Sequence, residues 1–175
     1  SGGERGIRGF VAAYDPDTGE EIWRSHTVPG PGEPGNETWP GETWRTGGAS
    51  IWITGSYDPE LNLTYWGTGN PGPWIGDQRP GDNLYTNSVA AFDADTGELK
   101  GYHQYHHNGS WDWDEVAAPI LIDVPRNGRT LKTLVHPARN GYLWMLERTA
   151  NAINFVEAQP YVCLLYTSDA ADERS

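Results

Sequence analysis

Short apolar runs alternate with glycine-containing turns along this chain, and one strand-turn-strand pattern occurs three times. Val11–Trp23 contains an apolar run, the turn sequence Asp-Pro-Asp-Thr-Gly and a second run. The same order recurs at Val89–Gly101, and Leu143–Phe155 is a degraded third copy. In such a turn glycine supplies a positive φ, while the Asp and Thr side chains hydrogen-bond the turn backbone. Each copy therefore predicts a β-hairpin.

The segments between these copies also show strand patterns. Apolar, aromatic and β-branched residues predict strands at Ser50–Thr54 and within Leu63–Asn70. Ala118–Val124 and Thr130–Val135 predict a further hairpin, joined through the turn sequence Arg-Asn-Gly-Arg at residues 126–129. No apolar period of 3.6 residues is sustained for three turns, which argues against long helices. The chain is therefore expected to be all-β.

Repeated hairpins at intervals of some tens of residues indicate the blades of a β-propeller. At about 40–50 residues per blade, residues 1–162 would hold about three to four blades, which is a fragment of a closed ring. The alternative is a set of unrelated hairpins in a β-sandwich, but these would need to share only their turn chemistry. The extended similarity of the copies favours the propeller.

Composition and charge narrow the function. The 175 residues include 9 Trp and 9 Tyr, which argues against a disordered chain because such chains are poor in aromatics. The formal net charge of −12 argues against a nucleic-acid partner, since phosphate binding requires a basic face. No apolar stretch approaches the roughly 18 residues of a membrane-spanning helix, so no transmembrane segment is expected in this fragment.

Residues 163–175 stand apart from the rest of the chain. They resemble the translation of a transposon-end sequencing adapter, so we interpret them as a non-native tail and residues 1–162 as a fragment truncated at both ends. The tail contains Cys163, the single cysteine of the chain. No redox environment is therefore inferred from cysteine.

The segment Trp111-Asp112-Trp113-Asp114 alternates aromatic and acidic residues. As a strand it would place both tryptophans on one face and both carboxylates on the other, with the two Asp Cα atoms about 7 Å apart. Large aromatic side chains are seldom left in water. We therefore expect the tryptophan face to pack, and the acidic face to meet a polar group, with a cation as the first candidate.

Five motifs taken together resemble those of the quinoprotein alcohol dehydrogenases, the pyrroloquinoline quinone (PQQ) enzymes typified by methanol dehydrogenase. They lie at residues 1–4, 47–52, 67–74, 110–114 and 136–141. The resemblance covers residues 1–162 and implies an eight-bladed propeller whose Ala-x-Asp-x-x-Thr-Gly-x-x-x-Trp motifs lock neighbouring blades. The first copy keeps the terminal tryptophan, Trp23, whereas the other copies have Gly101 and Phe155 in its place.

The resemblance implies a metal ion beside PQQ. Glu4 and Asn70 match metal ligands, although Asn70 alone would read as a turn residue. Asp112 matches the general base and a metal neighbour, taking the alcohol proton while hydride moves to PQQ. Asp114 matches the second aspartate of lanthanide-using members, where calcium-using members carry a small or neutral residue. We therefore expect a lanthanide ion, with Ca²⁺ as the alternative.

The cofactor contacts are also implied by the resemblance. Trp52 matches the indole beneath the quinone, for which a core tryptophan is the alternative interpretation. Arg139 matches the arginine that hydrogen-bonds the reactive quinone oxygens and counts as catalytic as well as cofactor-binding, with a surface salt bridge as the alternative. The remaining expected PQQ contacts are small residues, namely Ser1, Gly2, Gly3 and Ser50.

The implied function is oxidation of a small alcohol to an aldehyde in the periplasm, with electrons passed to a cytochrome c. The alternatives are a PQQ-dependent sugar dehydrogenase and a non-catalytic quinoprotein-like propeller that acts as a binding or assembly module. A non-catalytic module would have no need for Glu4, Asn70, Asp112 and Arg139 together. The isolated fragment is expected to be inactive, because an open ring has unpaired sheet edges and lacks contacts from the missing blades.

Overall fold

The computed structural model describes residues 6–162, which form an all-β structure with three short 3-10 helices. The strands, in chain order, are β1 (Phe10–Tyr14), β2 (Glu21–His26), β3 (Ser56–Asp58), β4 (Leu63–Gly67), β5 (Ser88–Asp93), β6 (Leu99–Gln104), β7 (Ile120–Arg126), β8 (Arg129–Pro137), β9 (Tyr142–Thr149) and β10 (Ala152–Pro160). The 3-10 helices are Asn36–Thr38, Thr43–Thr46 and Gly76–Gln78.

The strands form three antiparallel sheets in sequence order. β1 and β2 form a two-stranded sheet, and β3 to β6 and β7 to β10 each form a four-stranded meander. Strands joined by short turns pair with one another because an antiparallel connection needs only a hairpin. The two meanders have the form of propeller blades, and the first sheet has the form of half a blade.

The predicted hairpins are confirmed, and their turns show why the sequence repeats. Asp15 Oδ1 accepts hydrogen bonds from the backbone N–H groups two and three residues later at 2.9 and 2.7 Å. Asp93 Oδ1 does the same at 3.1 and 2.9 Å. Gly19 and Gly97 follow with φ of 75° and 73°, a region that favours glycine. These contacts are all local, so they define both turns without any contact between sheets.

Two further turns are shorter. Asn127 and Gly128 connect β7 to β8 with φ of 53° and 77°, the pattern of a two-residue hairpin turn with positive φ at both positions. In the third copy Thr149 pairs directly with Ala152, so its turn also contains two residues and is shorter than the turns of the first two copies.

The sheets meet through two different kinds of junction. The indole Nε1 of Trp23 in β2 donates to the carbonyl of Ala94 in the β5–β6 turn at 3.0 Å. A Cβ on Gly97 would lie 2.4 Å from the indole Cε3, so this glycine also makes room for the ring. Gly101 takes the tryptophan position in the second copy, and a Cβ there would lie 2.9 Å from Ala152 Cα. Trp23 therefore docks by its side chain, whereas Gly101 permits direct backbone contact.

Replacing Trp23 by alanine is expected to lower the free energy of unfolding by about 2 kcal/mol, less than a fully buried tryptophan would cost because the ring is only half-buried. Trp23→Phe should cost about 1 kcal/mol, since it keeps most of the apolar ring and loses the hydrogen bond. Denaturant unfolding measures both. Ile22→Ala at the neighbouring exposed position is the control, and an equal loss there would contradict a docking role for the indole.

A buried core joins the two four-stranded sheets. It includes Leu63 and Tyr65 of β4, Val89 of β5, Leu134 of β8 and Leu146 of β9. Each of these residues is at most 2% exposed. Along β4 the buried Leu63 and Tyr65 alternate with more exposed side chains. Burial of this apolar area is the main attraction between the two sheets.

A buried arginine also connects the two sheets. Arg148 of β9 is 5% exposed and donates from Nη1 to Asp58 of β3, in the neighbouring sheet. Its Nη2 donates to Asp123 Oδ1 at 2.9 Å and its Nε to the Thr133 carbonyl at 2.9 Å. The guanidinium therefore has charged partners on both sides of the junction, which offsets the cost of burying it.

Two predicted strands are wrong. Ser50–Thr54 forms no strand, because within residues 6–162 the only backbone hydrogen bond to this stretch is the one that Ser50 accepts from Gly69, and the chain then leaves the Gly69–Asn70 backbone. The Trp111–Asp114 segment is an irregular loop, since Asp112 adopts a left-handed φ of 54° that breaks the alternation of faces.

The predicted burial of the tryptophans also fails for Trp111, which is 73% exposed. Its ring stacks on that of Trp113 with centroids 5.9 Å apart and planes inclined by 24°. The pair thus shields part of its own apolar surface without entering a core.

Several residues singled out above lie outside the described part of the chain. These are Ser1, Gly2, Gly3 and Glu4, together with the tail at residues 163–175. Within residues 6–162, no helix has the length and hydropathy needed to cross a membrane.

Candidate active site

Four segments converge on the candidate site, and the first two are joined through their backbones. The Ala49 N–H donates to the Asn70 carbonyl at 3.0 Å, and the Gly69 N–H donates to the Ser50 carbonyl at 2.9 Å. On the other side of this segment, the Gly48 N–H donates to the Ile7 carbonyl at 3.0 Å. Ser50 and Asn70 are 7% and 6% exposed, so the predicted cofactor and metal residues lie side by side and are almost completely buried.

Asp114 brings the third segment to this pair. Its Oδ1 accepts the Asn70 backbone N–H at 2.9 Å. A Cβ on Gly69 would lie 2.7 Å from the same oxygen, so only glycine permits this approach. The Asn70 side-chain NH₂ donates to the Pro71 carbonyl at 3.1 Å. The amide Oδ1 is therefore the end of Asn70 that could ligate a cation, beside a carboxylate.

Arg139 brings the fourth segment to the loop that carries Asp112. Its Nη1 donates to the backbone carbonyl of Asp112 at 3.2 Å, and both side chains are exposed. This contact differs from the surface salt bridge considered above, because the acceptor is a backbone oxygen. The Asp112 carboxylate is therefore not consumed by this hydrogen bond, and the two predicted catalytic residues are neighbours.

Trp52 follows the buried Ser50 and is itself 55% exposed. The alternative of a core tryptophan requires a buried ring, and the described residues do not bury this one. An exposed indole next to a buried polar segment offers a flat apolar face to a planar ligand.

Glu115 is a site residue that the sequence did not reveal. It is 1% exposed, and its two carboxylate oxygens accept the Arg139 backbone N–H at 2.9 and 3.2 Å. His136 Nε2 lies 2.8 Å from Glu115 Oε2, and His136 is completely buried. Burial raises the pKa of Glu115, while the hydrogen bond from His136 opposes that shift. In the sequence Glu115 merely follows the acidic residues Asp112 and Asp114, and its partner His136 is 21 residues away.

Arg79 is a second residue that sequence patterns missed. Its side chain is completely buried and donates to the carbonyls of Pro73, Trp74 and Gly109 at 2.7, 3.3 and 2.5 Å. It also donates to Asn83 Oδ1 at 2.7 Å. Burial lowers the pKa of Arg79 to about 10, so it remains protonated at neutral pH. This guanidinium ties the loop after Asn70 to the loop before Trp111.

The chain matches, over residues 2–160, the family model described as the PQQ β-propeller domain of glucose, ethanol and alcohol dehydrogenases. The match covers most of the chain, so the protein belongs to this family. Its sheets are therefore a fragment of a quinoprotein propeller.

Individual relatives agree with this assignment. The chain is 38% identical over 178 residues to the quinoprotein alcohol dehydrogenase PedH of Pseudomonas putida, covering 93% of the chain and 30% of that protein. It is 38% identical over 193 residues to the lanthanide-dependent methanol dehydrogenase of Methylacidiphilum fumariolicum, covering 99% and 31%. It is 40% identical over 174 residues to the methanol dehydrogenase [cytochrome c] subunit 1 of Methylorubrum extorquens, covering 87% and 28%.

Among solved structures, a europium-containing methanol dehydrogenase superposes with a TM-score of 0.85 at 40% identity, covering 93% of this chain and 31% of that one. The quinohemoprotein alcohol dehydrogenase of Comamonas testosteroni superposes with a TM-score of 0.84 at 36% identity, covering 93% and 26%. The chain thus spans less than a third of the length of these relatives.

The donor chemistry of the site fits a hard cation. Within residues 6–162 no three His, Cys, Asp or Glu side chains are grouped so as to hold a metal ion. The Asp114 carboxylate nevertheless contacts the backbone of Asn70, and carboxylate and side-chain amide oxygens are donors that hard cations prefer. The described residues could therefore supply part of the predicted ligand set, and the predicted ligand Glu4 lies outside them.

Proposed function

We propose that the full-length protein is a PQQ-dependent alcohol dehydrogenase that oxidises an alcohol to an aldehyde with the help of a bound metal ion. The observation that carries this proposal is the convergence of Asn70 and Asp114 on one side, and of Asp112 and Arg139 on the other, through direct hydrogen bonds. A non-catalytic propeller would need only the blade turns. The family match and the names of the relatives support the same chemistry.

Asp112 is proposed as the general base. Arg139 donates to the backbone carbonyl of Asp112 and not to its carboxylate. The exposed carboxylate could therefore accept the proton of a bound alcohol. Arg139 supplies a permanent positive charge beside it, which would stabilise negative charge that develops during the reaction.

The cofactor is proposed to be PQQ, which when bound supplies the two-electron acceptor for the alcohol. Trp52 would form the floor beneath its planar ring, and Ser50 would contact it from a buried position. Ser1, Gly2 and Gly3 are further proposed contacts. The segment that follows them in sequence reaches the site, since Ile7 hydrogen-bonds Gly48.

The metal is proposed to be a lanthanide held by Glu4, Asn70, Asp112 and Asp114, with Ca²⁺ as the alternative. A trivalent ion favours additional anionic oxygens, and Asp114 adds one directly beside Asn70. Two of the matched relatives are named for lanthanide dependence or europium content.

Asp114→Asn is expected to weaken lanthanide binding by about tenfold or more, equivalent to about 1.4 kcal/mol. The amide oxygen of asparagine can still accept the Asn70 N–H, so the change removes charge and keeps the contact. Terbium titration of the PQQ-loaded full-length enzyme, read by luminescence sensitised through the nearby tryptophans, measures the affinity. Full activity with calcium alone that is unaffected by this substitution would refute a lanthanide site.

The electron acceptor is proposed to be a cytochrome c and the compartment the periplasm. A matched relative carries cytochrome c in its name, and the acidic net charge of residues 1–162, which is −10 when the −2 of the proposed tail is removed from −12, would attract a basic partner. The propeller segment is proposed to end at residue 162, followed by a non-native tail.

The decisive experiment is to reconstitute the full-length protein with PQQ and a metal, and then to follow dye reduction with alcohols and with sugars. Alcohol-dependent reduction supports the proposal, and sugar-dependent reduction alone would indicate a sugar dehydrogenase. Failure of the loaded protein to reduce dye with either substrate would indicate a binding module. Residues 1–175 alone are expected to be inactive.

A further inference from the structure

Glu115 directly follows Asp114 in one of the four segments that build the site, and it contacts the segments that carry Asn70 and Arg139. Its backbone N–H donates to the Thr68 carbonyl at 3.2 Å, and a Cβ on Gly67 would lie 2.2 Å from the Glu115 carbonyl oxygen. The backbone of Glu115 is therefore packed directly against Gly67, the last residue of β4, and Thr68, which follows it and precedes Asn70 by two residues. Its neighbour Asp114 reaches the Asn70 N–H from the same loop.

The side chain of Glu115 extends to the opposite segment. One carboxylate oxygen accepts the Arg139 N–H at 2.9 Å, and the other lies 3.2 Å from the same nitrogen and 2.8 Å from His136 Nε2. His136 is held in turn by stacking on Tyr105, with ring centroids 4.4 Å apart and planes inclined by 17°. The carboxylate thus joins the end of β8 to the loop that carries both acidic site residues.

We propose that Glu115 is a positioning residue that sets the location of Arg139 relative to Asp112 and Asn70. This inference rests on the proposed role of Arg139 as a PQQ contact. The carboxylate does not touch the reacting groups, and it acts by holding the Arg139 backbone while the Arg139 guanidinium reaches Asp112.

The physical need for such an anchor follows from the local structure. Arg139 lies in a turn closed by hydrogen bonds from Ala138 N–H to the Tyr142 carbonyl at 2.9 Å and from Gly141 N–H to the Ala138 carbonyl at 3.1 Å. Its long side chain is exposed and has many rotamers. The hydrogen bond from the Arg139 backbone N–H to the Glu115 carboxylate limits this freedom, because it fixes the position of the Arg139 Cα.

A purely structural role for Glu115 is the competing explanation. A buried carboxylate that served only the core would affect PQQ binding through general stability, whatever residue stands at position 139. A positioning residue instead acts through Arg139, so its effect should disappear when the guanidinium is absent. The two explanations therefore differ in a double-mutant cycle.

The experiment measures the Kd for PQQ of the metal-loaded full-length apoenzyme by quenching of tryptophan fluorescence. The proteins are wild type, Glu115→Leu, Arg139→Ala and the double variant. We expect Arg139→Ala to weaken binding about tenfold, and Glu115→Leu about fivefold in the wild-type background but less than about twofold in the Arg139→Ala background.

Each outcome decides a different question. An unchanged Kd in Arg139→Ala would overturn the proposed contact between Arg139 and PQQ, and with it the premise of the inference. A tenfold effect of Arg139→Ala together with an equal effect of Glu115→Leu in both backgrounds, or with no effect in either, would overturn the positioning role while leaving the proposed function intact.

Three further variants control for folding. Glu115→Gln keeps an acceptor for the Arg139 N–H and should bind PQQ within about twofold of wild type. Leu134→Ala removes a completely buried side chain from β8, the strand that contains His136 and precedes Arg139. This variant should lose stability without changing the Kd. A Kd raised as much in Leu134→Ala as in Glu115→Leu would also overturn the inference. If Glu115→Leu does not fold, Glu115→Asp replaces it, because its shorter side chain withdraws the carboxylate from both partners.

Discussion

Asp112→Asn in the full-length enzyme is expected to lower kcat for alcohol oxidation by about 10²- to 10⁴-fold, the usual contribution of a positioned general base. Asparagine is the appropriate substitution because position 112 has a φ of 54°, which Asn tolerates nearly as well as Asp. The loop and the contact from Arg139 to the backbone carbonyl should therefore persist. Steady-state dye reduction with saturating alcohol measures the effect.

The metal content of this variant must be measured alongside its rate, since Asp112 is also a proposed metal ligand. A preparation that keeps its metal and its PQQ but loses activity identifies the carboxylate as the base. Asp17→Asn, an exposed acid in the β1–β2 turn, is the matched control and should retain full activity. A fully loaded Asp112→Asn enzyme with kcat within threefold of wild type, a change of about 0.7 kcal/mol, would exclude the role of base.

Arg148→Met is expected to lower the free energy of unfolding by about 3–5 kcal/mol, because it leaves the carboxylate of Asp58 without its buried cation. Asp58 is 4% exposed, and its other oxygen accepts the N–H groups of Glu60 and Leu61 at 2.9 and 3.2 Å. The carboxylate therefore cannot turn to solvent without breaking that turn. Denaturant unfolding at fixed metal and PQQ concentrations measures the loss.

Two comparisons isolate this buried charge. Arg129→Met removes an arginine whose side chain is 67% exposed and which pairs with Glu147, so it should cost less than about 1 kcal/mol. Adding Asp58→Asn to Arg148→Met should recover part of the stability, since the orphaned charge is then removed as well. Equal costs for the two single arginine variants would show that burial does not matter at this junction.

The parts of the fold that could be predicted from sequence are those set by local chemistry. Asp15 and Gly19 define a turn within five residues, and the same pair at Asp93 and Gly97 makes that turn recognisable as a repeat. Asn127-Gly128 defines a hairpin for the same reason. Such turns need no distant partner, so they can be identified from the sequence alone.

The errors arose where tertiary contacts override a local pattern. Trp111–Asp114 has the alternation of a strand, but a strand also needs a neighbour to pair with, and the Glu115 N–H that follows bonds to Thr68 at the end of β4. Isolated buried ionic residues such as Glu115 and Arg79 have no periodic signature. Glu115 pairs with His136, 21 residues away, and Arg79 donates mainly to backbone carbonyls that the sequence does not identify, with Asn83 as a nearby side-chain partner.

The candidate site was predictable only through motif resemblance. Asn70 and Asp114 are 44 residues apart, and nothing in composition or spacing shows that they touch. The resemblance identified which residue types to expect, whereas the structure shows the glycine at position 69 that allows the two to meet.

The two blade junctions should respond to mutation in opposite directions. At Trp23 the contact is made by a large side chain, so truncation weakens it. At Gly101 the contact is made by the backbone itself, 2.9 Å from where a Cβ would begin, so no truncation is possible and every substitution enlarges the residue. The first junction therefore depends on a bulky side chain and the second on the absence of one, so a search of this sequence for a repeated tryptophan would overlook the second junction.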